Sequence, residues 1–187
     1  MVSKLLNAKS SPTRGLTQAS VSIVVFSDFE CPFCKNLEKE LSSLPPAIQR
    51  EIQVTFKQLP LSMHPWARSA AMATSCVHLQ GNDAFWKLHD FLFDNQTRLN
   101  EHNFDAIVGQ FLVDSQLDPA AWRQCVQARE LENVLNTDER LAIQIGVHST
   151  PTIFINGLRR GPFSSSLELQ FSIEQALNDV KFAHEYR

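Results

Sequence analysis

Three short segments of the chain carry the hydrophobic pattern of β-strands. Ser22–Phe26 is a nearly continuous apolar run, which is typical of a central strand buried on both faces. Ile52–Leu59 alternates apolar and polar residues, as expected for a strand with one buried face. Thr152–Ile155 is followed by Asn156–Gly157, a dipeptide that favours a two-residue hairpin turn, so we expect another strand from Leu158. The sequence therefore predicts a sheet built from both halves of the chain.

Most of the other apolar positions recur at helical spacing. Lys35–Leu44 predicts a helix that Pro45–Pro46 ends, and Leu167–Val180 predicts a helix that closes the chain. Between His64 and Gly146 every strong pattern is helical. The helices predicted there are Ala67–Leu79, one capped by Asn82–Asp83, one that follows Asn103, one that begins at Asp118–Pro119, and Arg129–Ile145.

The order of these elements predicts the fold class. A β–α–β unit is followed by a block of helices and then by β–β–α, so that a hairpin and a helix complete the sheet begun by the first unit. We predict an α/β fold with a central mixed sheet flanked by helices, which is the arrangement of a thioredoxin fold with an inserted all-helical subdomain. The predicted boundaries are a loosely held N-terminal lead-in over 1–20, the thioredoxin-fold domain over 21–62 and 147–187, and the insertion over 63–146.

Composition narrows the function classes. The chain has 187 residues, a net charge of −3 and a pI of about 6.1, so neither nucleic acid nor an anionic membrane is an expected partner. No segment has the roughly 18 consecutive apolar residues of a membrane span. Residues 1–20 are polar and show no signal peptide, which fits either a cytoplasmic protein or a mature extracytoplasmic domain whose leader is absent. The even number of cysteines, four, favours an oxidising compartment such as the periplasm or cell envelope.

The most informative motif is Cys31–Pro32–Phe33–Cys34, between a predicted strand and a predicted helix. A helix N-terminus supplies unpaired N–H groups and a positive dipole, which favour the thiolate that attacks a disulfide. We interpret Cys31 as the nucleophile and Cys34 as the resolving thiol. Half a zinc site is the alternative, but no second ligand pair completes it, and neither a metal nor a cofactor is expected. A static structural disulfide rarely needs this junction.

A second candidate element is Thr150–Pro151, at the start of the apolar strand near the C-terminus. A cis-proline here would bring the Thr150 backbone beside the cysteines, where an extended substrate could pair with it. An ordinary trans strand start is the alternative, and the predicted fold favours the cis form. Cys76 and Cys125 lie in the helical block, and the residues alone leave open whether they form a disulfide or remain two buried thiols.

Four ionisable residues are candidates for modulating the pKa of the cysteines. Asp28 and Glu30 flank the motif, where they would oppose the thiolate or simply cap the helix and solvate the loop. Lys57 could reach beneath the cysteines from its strand, or face solvent. His64 could donate to a thiolate, or begin a helix. Because the acidic neighbours oppose the thiolate, we predict a pair less oxidising than the strongest thiol oxidants.

With these residues in place, the chain resembles the DsbA-like thiol–disulfide oxidoreductases, which have a thioredoxin fold with an inserted helical domain. The resemblance rests on the CPFC motif with SDFE before it and on STPT near the C-terminus. It extends over four segments in family order, namely residues 21–41, 54–76, 81–96 and 146–161.

The resemblance implies that Cys31 attacks, Cys34 resolves, Pro151 is cis and Thr150 contacts substrate. It also favours a Cys76–Cys125 disulfide. The implied partners are protein or peptide thiols and disulfides, with a redox partner that recycles the cysteine pair. Two other functions remain open at this point. A glutathione-dependent transferase or isomerase of the same fold would not need Cys34, and a non-catalytic peptide-binding module would not need Cys31.

Overall fold

The computed structural model describes residues 11–128 and 131–185, which form five strands and eight helices. The strands are β1 (Thr13–Gly15), β2 (Val21–Ser27), β3 (Ile52–Gln58), β4 (Thr152–Ile155) and β5 (Leu158–Arg160). The helices are α1 (Pro32–Ser42), α2 (Pro46–Gln49), α3 (Ala67–His78), α4 (Asn82–Asp94), α5 (Phe104–Asp114), α6 (Pro119–Ala128), α7 (Glu132–Gln144) and α8 (Ser166–Glu185).

The five strands form one mixed sheet in the order β1-β3-β2-β4-β5. β2 and β3 are parallel and are joined by the crossover through α1 and α2, whereas β1, β4 and β5 pair antiparallel to their neighbours. Asn156 and Gly157 both have positive φ, as the predicted two-residue hairpin requires. The predicted fold class, a mixed sheet flanked by helices with a helical insertion, is confirmed.

Both faces of the sheet are covered, so β2 has no polar face. Val21, Ile23 and Val25 pack into the larger core with α1 and α8, while Val24 and Phe26 pack on the opposite face against α7. This alternation explains why the segment is almost continuously apolar. The C-terminal end of β2, which leads to Cys31, therefore lies between α1 and α8 on one face of the sheet and α7 on the other.

Within the predicted N-terminal lead-in, Thr13–Gly15 forms the edge strand β1. Residues 1–10 lie outside the described part of the chain, but Thr13–Gly15 pairs with β3. The amide side chain of Asn82 accepts from the Thr13 N–H at 2.9 Å and donates to the Thr13 carbonyl at 2.7 Å. The prediction that Asn82 caps its helix is therefore wrong, because its side chain binds the edge strand and Gly81 occupies the cap position.

Inside the helical insertion, Cys76 of α3 and Cys125 of α6 form a disulfide, with Cα atoms 5.8 Å apart. The helix start at Asp118 is confirmed, since its carboxylate accepts from the N–H groups of Ala120 and Ala121. Arg129, at which the last insertion helix was predicted to begin, lies outside the described residues. Within the described ranges, no helix is both long enough and apolar enough to span a membrane.

Candidate active site

The two cysteines of the CPFC motif, hereafter the redox pair, lie where β2 leads into α1. Cys31 is the N-cap residue of α1, Pro32 is its first residue, and Cys34 lies within the first turn. Proline suits that first position because its missing N–H would have no helical partner there. Both cysteines are free thiols, and Cys31 retains 3% of its surface exposed while Cys34 has none. Both thiols are therefore buried, and the small exposed area belongs to Cys31.

The surroundings of Cys31 favour its thiolate and lower its pKa to about 5. The largest cause is the hydrogen bond from the Cys34 thiol, which outweighs the opposing effect of burial. Hydrogen bonding from Thr150 and from the N–H groups of Cys34 and Phe33 lowers the pKa further. These N–H groups belong to the start of α1, so the expectation that the helix N-terminus stabilises the thiolate agrees with the geometry.

Cys34 has the opposite tendency. Burial raises its pKa well above the ordinary value, and the hydrogen bond to Cys31 and the charge of that thiolate raise it further. The N–H of Asp28 approaches the Cys34 sulfur at 3.4 Å and favours the charged form, but does not offset burial. In the reduced protein the pair therefore holds one proton near neutral pH, and that proton resides on Cys34.

The Thr150–Pro151 peptide bond is cis, as predicted. It places the Thr150 carbonyl 3.5 Å from the Cys31 sulfur, and the thiol donates to this carbonyl. The Thr150 hydroxyl is buried. Thr150 and Pro151 also line the groove beside the redox pair, together with Phe33, whose side chain is 69% exposed.

Asp28 and Glu30 do not cap α1. The buried Asp28 carboxylate accepts from His64 Nδ1 at 2.7 Å and from the N–H groups of Glu30 and Leu61. The Glu30 carboxylate accepts from the N–H of Trp66 at 2.8 Å, and burial raises its pKa. The proposed capping role is wrong because both carboxylates bind the segment that leads into α3.

His64 bonds to Asp28 rather than to a thiolate. Burial disfavours its charged form, but the hydrogen bond and charge of Asp28, with smaller contributions from Cys31 and Glu30, raise its pKa above the ordinary value. α3 begins at Ala67, so His64 does not begin the helix either. When His64 is protonated, its charge offsets that of the Asp28 carboxylate to which it is bound.

Lys57 is buried, so the alternative that it faces solvent is wrong. It is 2% exposed, and its amino group donates to Asp138 of α7 at 2.9 Å and to Ser11 at 2.8 Å. Asp138 also accepts from the N–H of Gln58 at 3.0 Å. None of the contacts described for Lys57 is with a cysteine, because its strand position points toward the face that α7 covers. The ion pair joins the sheet to the insertion.

Gln96 is a site residue that the sequence did not indicate. It follows the end of α4, and its Nε2 donates to the carbonyls of Phe29 at 2.8 Å and Cys31 at 3.0 Å. The helical insertion thereby holds the backbone on both sides of the nucleophile. A glutamine after a helix has no distinctive pattern, and only the contact between the two halves of the fold gives it this position.

Among the described residues, no group of three or more His, Cys, Asp or Glu side chains is arranged to hold a metal ion. The site offers the chemistry of its thiols, one stabilised as a thiolate and one buried and protonated. Phe33 and Thr150, which adjoin the redox pair, line a groove that reaches the surface.

Comparisons with known proteins agree with this fold. The family model described as Thioredoxin matches residues 7–175. The chain is 26% identical over 176 residues to disulfide bond formation protein D of Bacillus subtilis, covering 90% of this chain and 78% of that protein. It is also 32% identical over 153 residues to the Na(+)/H(+) antiporter NhaA 3 of Salinispora tropica. That match covers 81% of this chain but only 22% of the antiporter.

Two solved structures show the same architecture. Oxidised BdbD from Bacillus subtilis superposes with a TM-score of 0.78 at 24% identity, covering 92% of this chain and 95% of BdbD. The α-DsbA1 of Wolbachia pipientis superposes with a TM-score of 0.81 at 16% identity, covering 98% of this chain and 99% of that one. Together with the sequence matches, they confirm the resemblance to DsbA-like proteins.

Proposed function

Because this chain belongs to the thioredoxin family, whose model matches residues 7–175, we propose that it is a thiol–disulfide oxidoreductase that exchanges disulfides with protein substrates through Cys31 and Cys34. The observation that carries the proposal is the opposite tuning of the two thiols. One pKa is lowered to about 5 and the other is raised, within a single helical turn beside a surface groove. A static disulfide or a simple binding site has no need of this difference.

In the oxidising direction the reaction proceeds in two exchanges. A substrate thiolate attacks the Cys31 sulfur of the Cys31–Cys34 disulfide, which forms a mixed disulfide and releases Cys34 as a thiolate that takes up a proton. A second substrate thiolate then attacks the substrate sulfur, and Cys31 leaves as the stabilised thiolate. The substrate loses two electrons and gains a disulfide, and the redox pair gains the two electrons. A partner carrying a disulfide must then reoxidise the pair.

We infer that substrate oxidation is the favoured direction. A stabilised Cys31 thiolate makes the reduced form more stable and the oxidised form a stronger oxidant. A pKa of about 5 lies between the values of about 3.5 and about 7 that accompany potentials of about −120 mV in DsbA and about −270 mV in thioredoxin. The name of the Bacillus relative, a disulfide bond formation protein, supports the same direction.

The expected compartment is extracytoplasmic. The Cys76–Cys125 disulfide supports this inference, because disulfides persist in oxidising compartments and are rare in the cytosol. Thr150 and the cis-Pro151 are proposed to contact substrate, since both line the groove and the Thr150 carbonyl adjoins the Cys31 sulfur.

The test is to equilibrate the purified protein with glutathione buffers and to quantify the oxidised fraction of the redox pair. We expect a single two-electron transition at a potential between about −120 and −270 mV. Cys31→Ser should abolish turnover of a protein dithiol, and Cys34→Ala should trap the mixed disulfide. Full activity of Cys34→Ala would indicate a single-thiol enzyme instead, and a pair that never changes redox state would refute the proposal.

A further inference from the structure

A groove of about 480 Å³ lies beside the redox pair, between α1, the Thr150–Pro151 turn and the segment that follows β5. Phe33 and Leu37 contribute an apolar wall from α1, and Phe163 contributes the opposite wall. A space of this size and composition is typical of a site that takes a short ligand segment. Its position next to Cys31 means that a segment bound there would adjoin the reacting cysteine of a substrate.

The strand register places the side chain of Arg160 on the groove side of the sheet. Arg160 of β5 lies directly opposite Ile153 of β4, and such antiparallel partners project to the same face. Ile153 packs into the core that α1 covers, so Arg160 lies on that side as well, and it lines the groove. The neighbouring Arg159 also lines the groove, but its guanidinium donates to the carbonyl of Gly146 at 2.9 Å.

The charge of Arg160 is available to a ligand. The side chain is exposed, and among the ion pairs of the described residues none includes it. One acidic side chain, Glu40 of α1, also lines the groove. The groove thus presents the Arg160 guanidinium on a protein whose net charge is −3.

We propose that Arg160 selects substrates that carry an Asp or Glu close to the reactive cysteine, by binding that carboxylate in the groove. This inference rests on the proposed thiol–disulfide exchange and names its substrate class. A guanidinium binds a carboxylate through two parallel hydrogen bonds, so the contact is directional as well as electrostatic. The acidic net charge of the chain works against such substrates in general, so a preference for them requires a local basic group.

The experiment measures how fast single-cysteine peptides reduce the oxidised protein. A set of peptides carries Glu two or three residues before or after the cysteine, and each has a Gln counterpart. For each protein variant we compare the rate constant of the Glu peptide with that of its Gln counterpart, as a ratio. Intrinsic differences between the two peptide thiols are the same for every variant, so they cancel when the ratios of two variants are compared. For at least one position, Arg160→Gln should lower the ratio by about three- to tenfold.

Arg123→Gln is the matched control, since Arg123 is exposed on α6 and does not line the groove. It removes the same charge and should leave the ratio unchanged. In a second peptide set Lys replaces Glu. The Arg160→Glu variant should react faster with these Lys peptides than with their Gln counterparts, which is the opposite of what we expect for the wild-type protein. An equal effect of the Arg160→Gln and Arg123→Gln substitutions, or no effect of either at any peptide position, would overturn the inference.

Dithiothreitol, which is uncharged, separates this inference from the proposed function. If the wild-type pair is reduced by dithiothreitol but the Glu-to-Gln ratio does not depend on Arg160, the substrate class is wrong and the exchange chemistry stands. If dithiothreitol does not reduce the pair, the proposed function itself fails, and the inference fails with it.

Discussion

Replacing Cys34 by Ala should raise the pKa of Cys31. The hydrogen bond from the Cys34 thiol is the largest cause of the lowered value of about 5. A hydrogen bond to a charged group contributes about 1.5–3 kcal/mol, and 1.36 kcal/mol corresponds to one pKa unit, so losing it should raise the pKa by about one to two units. At pH 7 the ratio of thiolate to thiol at Cys31 would fall from about 100 to between about 10 and 1.

Cys34→Ser is the matched control, because serine keeps a hydroxyl that can donate to the Cys31 sulfur. The absorbance of the thiolate near 240 nm, followed from pH 3 to pH 10, reports the titration of Cys31 in each variant. We expect the midpoint to stay close to the wild-type value in the Ser variant and to rise in the Ala variant.

Two results would refute this reasoning. If the Ala and Ser variants titrate alike at the wild-type midpoint, the Cys34 thiol is not what stabilises the thiolate. A wild-type midpoint near 3.5, the value of the most acidic thiols of this type, would contradict the prediction that the acidic surroundings moderate Cys31.

Three further predictions concern pH and stability. The reduction potential of the redox pair should fall by about 59 mV per pH unit below pH 5 and by about 30 mV per pH unit above it. The slope changes because above pH 5 only the buried Cys34 thiol keeps its proton in the reduced protein. A constant slope in glutathione titrations would contradict this. Replacing Cys76 and Cys125 by Ala should lower the free energy of unfolding by about 4 kcal/mol in denaturant melts, since the bond closes a loop with a sequence separation of 49. His64→Gln should destabilise the oxidised protein more at pH 5.5 than at pH 9. The raised pKa means that protonated His64 stabilises the fold below its unfolded pKa, and that this contribution is lost as pH rises through the folded pKa; equal losses at both pH values would exclude it.

The sequence predicted the fold because its local signals agree with one another. The apolar run of β2, the alternation in β3 and the Asn156–Gly157 turn each reflect the environment that the structure provides. The role of the CPFC motif was predicted because the two cysteines and the helix start are neighbours in the sequence. The cis form of Pro151 was predicted from the fold class.

The predictions that failed concern side chains whose partners are distant in sequence. Asn82 was expected to cap a helix but binds Thr13, which is 69 positions away. Glu30 was expected to cap the helix or solvate the loop, but its carboxylate accepts from the N–H of Trp66. Gln96 reaches the carbonyls that flank the nucleophile from a separate subdomain. Periodicity and capping rules describe local structure, and they carry no information about such contacts between subdomains.

The buried Lys57–Asp138 ion pair restricts how this protein can diverge. Removing one partner leaves an uncompensated charge in the core, which typically costs about 3–5 kcal/mol, whereas replacing both by apolar residues of similar volume is often neutral. A single substitution at either position therefore lowers the stability of the fold, whereas the double substitution often does not. Among related sequences, positions 57 and 138 should therefore change together, which couples this strand of the sheet to the insertion helix that covers it.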